Sequence, residues 1–533
     1  MRNYSAFLLF VVAILCAASA AHAQAVAAQT SQGRVVGAYT GPQQDIEVFK
    51  GIPYAIPPVG VRRWRAAEPA GSWAEPLIAN RFGPDCMQSS TMDVMENPEK
   101  DTYYHPPSLV SEDCLYLNVW APAKRATPKL PVMVWIHGGG LVQGAGTWPL
   151  YDGTALARKG VVLVTLNYRL GIFARFALAE LSAESPQGGS GTYDLSDLVQ
   201  ALKWVQQNIA AFGGDPANVT VFGESAGSLY VAALMASPPA KGLFHRAIGE
   251  SGGIFNDWMT PLGVAQAAGS RFAASIGRPS LDALREMPAA DLHALSRKAK
   301  YYIDPVIDGH FLTAPPCETF LQGKQHRVPV LVGFNGDELN GYLPPLQSIG
   351  SYKQYADTVR ETFRYMAYNN AGIADGFLSL APERRWSPQL APRMLRGYMV
   401  TGWEMESWAA MTSRVSPNAW LYYFNHVPPG ATGAFHTAEV SYVFNNERSS
   451  PRYSPNTPVQ PPRPSDLALA EMLSSYWVAF AKTGAPAAEG LPEWKPYGGV
   501  KTRRFMEFKE GGAQARDNFF PEIDFKPACE VLK

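Results

Sequence analysis

Cysteine is scarce in this chain of 533 residues, and no apolar run long enough to span a bilayer follows the first two dozen positions. Only five cysteines occur. None belongs to a Cys-x-x-Cys pair, and no His-Glu-x-x-His helix is present, so the sequence offers no metal or redox motif and calls for no cofactor. Charge of one sign is lacking too: Lys plus Arg and Asp plus Glu each total 46, which leaves no global field to draw in nucleic acid or an anionic membrane. A small neutral substrate fits that balance. No internal repeat is found.

What is present first is a leader. A short basic start precedes an unbroken apolar run from Ala6 to about Ala18, and Ala21-His22-Ala23 then stands before Gln24. The run falls short of the roughly 20 residues that span a bilayer, so residues 1–23 read as a cleaved signal peptide. The mature chain, 24–533, is expected to be one domain, exported to the periplasm or secreted, and not held in a membrane. Cys86, Cys114, Cys317 and Cys529 remain after cleavage, in a compartment that permits disulfides.

Residues 131–136 (PVMVWI) and 161–167 (VVLVTLN) are continuous apolar, β-branched runs, the pattern of strands buried on both faces of a parallel sheet. Leu195, Leu198, Val199, Leu202, Val205 and Ile209 then recur at helical spacing, with Asp194 as a candidate cap and Gly213 as a stop. A strand at 218–222 and a helix at 226–236 come next. Alternation of this kind predicts an α/β fold with a mostly parallel central sheet. Further strands are expected at 328–333 and 419–424, with helix-rich insertions at 262–300 and 351–412 over the strand ends, and Ser465 is expected to cap a helix running to Gly484.

Gly223-Glu224-Ser225-Ala226-Gly227 matches the Gly-x-Ser-x-Gly elbow, in which a serine sits on a strained strand-to-helix turn. So does Gly249-Glu250-Ser251-Gly252-Gly253. Context separates them: Ser225 follows the apolar run VTVF and precedes unbroken helix formers, whereas Ser251 runs into two glycines and soon Pro261. The Ala226 amide then lies at a helix N-terminus, where unpaired N–H groups and the helix dipole favour an oxyanion. His137-Gly138-Gly139-Gly140, directly after PVMVWI, is a second candidate source of oxyanion amides. In this arrangement the acid and then the histidine follow the serine. Asp337 or Glu338 in VGFNGDELN supplies the acid, and only His426 and His436 lie beyond it.

Taken together, GRVVGAYTG, FKGIPYAIPPVG, SEDCLYLNVWAP, WIHGGG, TLNYRLG, AAFGGDPANVTVFGESAG and FHTAEVSYVF resemble the type-B carboxylesterase and cholinesterase family over most of the mature chain. The resemblance implies an α/β-hydrolase fold and a catalytic triad of Ser225, Glu338 and His436. It also implies an oxyanion hole from the amides of Gly139, Gly140 and Ala226, a disulfide between Cys86 and Cys114, and an ion pair between Arg63 and Glu112. Three departures bear on the acyl pocket: Leu141 stands where an aromatic is common, Asp194 replaces a glycine after Tyr193, and Ala174-Arg175 interrupts an apolar segment.

The expected reaction is hydrolysis of a small-molecule carboxylic ester through an acyl-enzyme, with no cofactor. A non-enzymatic binding domain of the same fold is the rival class, separated by turnover of a short-chain ester. As Ser225 is remote in sequence from the cysteines, the Cys86–Cys114 bond is expected to act mainly on stability.

Overall fold

The apolar runs become the middle of one 13-stranded sheet in the computed structural model. It describes residues 25–89, 102–103, 109–125, 127, 129–253, 255, 259–338, 349–365, 372–380, 383, 397–446, 452–453, 460–518 and 526–531. The leader, 1–23, lies outside the described residues. The strands are β1 (Ala25–Gln29), β2 (Arg34–Thr40), β3 (Ile46–Pro53), β4 (Leu77–Ile78), β5 (Tyr116–Pro122), β6 (Leu130–Ile136) and β7 (Val162–Leu166). They continue with β8 (Gly214–Glu224), β9 (Arg246–Glu250), β10 (Val330–Asn335), β11 (Ala419–Phe424), β12 (Phe505–Lys509) and β13 (Gly512–Arg516). Their order is β1-β2-β3-β5-β7-β6-β8-β9-β10-β11-β12-β13, with β4 beside β2. From β7 to β12 every neighbouring pair is parallel. This is the α/β architecture that the sequence pattern predicts and the α/β-hydrolase fold that the resemblance implies.

Both faces of the parallel strands are covered, which is why they read as unbroken apolar runs. Val132, Val134 and Ile136 of β6 enter one apolar cluster, and Met133 and Trp135 enter the other. Helices α1 (Tyr193–Asn208) and α2 (Ala226–Ala236) cover the first face, while α3 (Pro464–Thr483) sends Leu469, Leu473 and Trp477 into the second. Every residue of α2 is buried, so that helix shows no polar stripe.

Two helix starts differ from expectation. Thr192, not Asp194, stands at the N-cap of α1, because the Asp194 carboxylate is used inside the protein by Tyr230 and Arg175. Helix α3 begins one residue before Ser465, at Pro464; Asp466 Oδ2 accepts the Arg463 amide at 2.6 Å and so closes the first turn. Both helical stretches stop at the expected glycines, Gly213 and Gly484, with φ of 82° and 84°.

The helix-rich insertions hold Leu262–Ser275, Leu281–Arg285 and Ala289–Lys298, and then Tyr352–Tyr365, Gly372–Leu380 and Trp403–Ser413. Cys86 is joined to Cys114 with Cα atoms 4.9 Å apart, and Cys317 is joined to Cys529 across 212 residues. Arg63 grips Glu112 through two bonds of 2.7 and 2.6 Å and donates its third to Leu284 O. Among the described residues no helix is long and apolar enough to cross a membrane.

Candidate active site

Strand β8 ends at Glu224 and α2 begins at Ala226, so Ser225 is the single residue of the turn between them. Its φ of 54° and ψ of −122° are strained for a side-chain-bearing residue, at a cost of about 1–3 kcal/mol. The surroundings hold it there. The Ser225 amide donates to Glu250 O at 2.8 Å, and a Cβ at Gly227 would stand 1.9 Å from Ile136 O, so only glycine lets α2 approach β6 this closely. As the first residue of α2, Ala226 has an amide with no place in the helix ladder.

His436, in the segment after β11, brings Nε2 to 2.9 Å from Ser225 Oγ and Nδ1 to 2.5 Å from Glu338 Oε2. Glu338 is buried just past β10, and its Oε1 accepts the Asn335 amide at 2.7 Å and the Thr401 hydroxyl at 2.9 Å. The three residues expected from the sequence therefore form one hydrogen-bonded chain. The alternatives sit elsewhere: Asp337 pairs with Phe435 through the backbone, and His426 faces Asp466 at 2.6 Å at the start of α3.

Ser251 also terminates a strand with positive φ, 51°, but it is buried and its Oγ lies 3.5 Å from Glu439 Oε1. Its following glycine has a packing reason: a Cβ on Gly252 would stand 2.1 Å from Ser225 O. The second motif thus makes room for the first.

After β6 the chain turns through Gly139 and Gly140 with φ of 112° and 61°. Among the described residues no acceptor takes either amide. Tyr168 donates to His137 O at 2.7 Å and stacks on the His137 ring, while burial pushes that imidazole down to about 4 and keeps it neutral. At the far end of the turn, Gln88 holds Gly144 from both sides, accepting its amide and donating to its carbonyl at 2.9 Å each.

Gln88 lies two residues after Cys86 and also donates to Cys86 O, which ties the first disulfide to this turn. Removing that disulfide, expected from the sequence to act mainly on stability, should therefore also be felt at this turn. Cys86→Ser with Cys114→Ser is expected to cost roughly 3–4 kcal/mol, from the entropy of a loop of about 28 residues. It should also lower kcat several-fold under conditions where the protein stays folded. Thermal unfolding and steady-state kinetics check both.

Several groups at the site are not singled out by the sequence. Glu224 Oε1 lies 3.2 Å from His436 Nε2, and Glu439 accepts from Asn335 behind it. Burial pushes the Glu224 carboxyl well above the usual range, and burial, reinforced by the charge of Glu338, lifts Glu439 to about 7. Burial disfavours the imidazolium of His436, but Glu224 and Glu338 outweigh it and raise His436 to about 10. Glu224 is legible in principle, since it occupies the variable position of the elbow; Thr401 carries no signal in sequence.

The sheet, the elbow and the histidine chain define an α/β-hydrolase, and comparisons with known proteins give its family. A sequence model of the carboxylesterase family matches residues 24–522. The chain belongs to that family of carboxylic ester hydrolases. It is 36% identical to a fumonisin B1 esterase of Sphingopyxis macrogoltabida, over 95% of this chain and 92% of that one. It is 34% identical to a para-nitrobenzyl esterase of Bacillus subtilis (strain 168), over 88% and 92%. A solved PNB esterase structure superposes with a TM-score of 0.74 at 32% identity, covering 93% of this chain and 98% of that one.

Proposed function

We propose that this carboxylesterase cleaves small esters through an acyl-enzyme on Ser225, with His436 as general base and acid and Glu338 as the triad carboxylate. The observation that carries the reading is the unbroken chain from Ser225 Oγ through the His436 ring to a buried Glu338. Ser225 attacks the ester carbonyl while His436 Nε2 takes its proton. Glu338 accepts Nδ1–H, which leaves the Nε2 lone pair facing the serine, and stabilises the imidazolium that forms. The amides of Gly139, Gly140 and Ala226 receive the developing oxyanion. Protonated His436 returns its proton to the leaving alcohol, and water then repeats the sequence on the acyl-enzyme. No cofactor takes part.

The family match, which runs from residue 24 almost to the end, supports a single catalytic unit over 24–533. The leader's pattern and the two disulfides support export and cleavage after Ala23. Stopped-flow hydrolysis of a p-nitrophenyl ester tests the acyl-enzyme: a burst of nitrophenol approaching one equivalent per active site is expected where deacylation limits turnover. With an activated ester and an acyl group chosen to deacylate slowly, no burst at any substrate concentration would contradict it.

The carboxylates around His436 set the pH dependence. Only neutral imidazole accepts the serine proton, so activity is lost as pH falls through the His436 pKa. Since that pKa is raised, the acid limb of kcat/KM should have its midpoint above the ordinary 6.5. Glu224→Gln removes the carboxyl group that ionises against the imidazolium and should move the limb downward. A pH–rate series on both proteins checks the sign.

A further inference from the structure

All three places where the sequence departs from the carboxylesterase pattern, Leu141, Arg175 and Asp194, meet in one buried cluster. Leu141 closes the Gly139–Gly140 turn with φ of 66°, a left-handed conformation that strains a non-glycine residue. Its carbonyl is held by two donors, Arg175 Nη2 and the Gly171 amide, each at 2.9 Å. Arg175 is only 2% exposed, and a buried guanidinium needs a counter-charge. Asp194 Oδ2 supplies it at 3.7 Å from Arg175 Nε.

The same Asp194 oxygen accepts the hydroxyl of Tyr230, and Oδ1 accepts the Leu195 amide at 2.8 Å. Tyr230 belongs to α2, the helix that begins directly after Ser225. The cluster thus connects the Leu141 carbonyl to the nucleophile's own helix through two charged side chains. At the other end of the turn, Tyr168 holds His137 O and meets the Tyr230 ring edge-on at 5.2 Å.

We propose that Arg175 and Asp194 are positioning residues that fix the Gly139–Leu141 turn relative to Ser225, so that the turn's amides are aimed where the oxyanion forms. The proposal rests on the assignment of those amides as the oxyanion hole. It makes a specific demand on kinetics. A misaimed donor weakens the transition state more than the ground state, so kcat falls while KM moves little.

The test uses Arg175→Met/Asp194→Asn, which removes both charges together and leaves neither buried alone. With a melting temperature and circular dichroism close to those of the parent, kcat should fall by about 30- to 300-fold, on the scale of one lost oxyanion donor. KM should stay within about threefold, and a trifluoromethyl ketone should bind more weakly in proportion to the loss in kcat. A folded double variant that keeps kcat, or one that changes only KM, would overturn the proposal.

If the double variant does not fold, Arg175→Lys replaces it. Lysine keeps the charge, but its single ammonium lacks the planar fork that serves Leu141 and Asp194 together. A reduced kcat with retained KM supports the positioning role, and unchanged kinetics overturn it. Ser225→Ala, run in parallel, separates the site assignment from the positioning role: hydrolysis surviving in that variant sinks the assignment itself, whereas its loss beside unaltered Arg175 variants sinks only the positioning.

Discussion

Ser225→Ala is expected to lower kcat/KM for ester hydrolysis by about four to six orders of magnitude while leaving the fold intact. The size reflects the chemistry removed. Without Oγ there is no acyl-enzyme, and only substrate binding and oxyanion stabilisation remain to assist water. Folding should survive because the strained turn is held by backbone contacts, the Ser225 amide on Glu250 O and the glycine approach of α2 to β6, neither of which needs the hydroxyl. Ser251→Ala is the matched control. Ser251 is buried and its hydroxyl faces Glu439, not His436, so its loss should change kcat/KM by less than about tenfold. Steady-state kinetics with one chromogenic ester, beside melting temperatures for both variants, decide the pair.

Glu338→Gln should reduce kcat by about four orders of magnitude, far more than loss of a charge at a distance would. The geometry gives the reason. Glu338 Oε1 accepts from both the Asn335 amide and the Thr401 hydroxyl, so a glutamine must place its carbonyl oxygen there. Its NH2 group then faces His436 Nδ1, which has to become an acceptor. The proton moves to Nε2, and the ring can no longer take one from Ser225. Asp337→Asn, one residue away but paired by its backbone to Phe435, should leave kcat within about tenfold of the parent. Equal losses in the two variants would contradict the assignment of the acid.

The parallel half of the sheet is legible in the sequence because its strands are buried on both faces, so Val132, Met133, Val134 and Trp135 succeed one another without a polar residue between them. Helices with a polar group in structural service are harder to delimit at their ends. An aspartate at a helix start usually caps it, which points to Asp194, yet in the fold its carboxylate meets Tyr230 and Arg175. Ser465 attracts the same assignment for the same reason, although the helix begins at Pro464.

Within the candidate site, the helix formers downstream of Ser225 separate it from its decoy, and chain order narrows the histidine to two. Choosing between His426 and His436, and between Asp337 and Glu338, needs either the resemblance to a family or the three-dimensional contacts. Thr401, Asn335 and Glu439 are invisible in the sequence, since they act through distances that no local pattern encodes. Arg175 and Asp194 each stand out as departures, but nothing in the linear sequence says that residues 175 and 194 meet.

The most direct measurement is covalent labelling. The purified enzyme is treated with a fluorophosphonate at neutral pH, digested and mapped by mass spectrometry, with residual esterase activity measured in the same sample. With Ser225 as nucleophile, one equivalent of label is expected on the peptide containing it, with loss of activity in step with labelling and none on Ser251. Activity lost with the label on Ser251, or complete modification of Ser225 with hydrolysis undiminished, would contradict it.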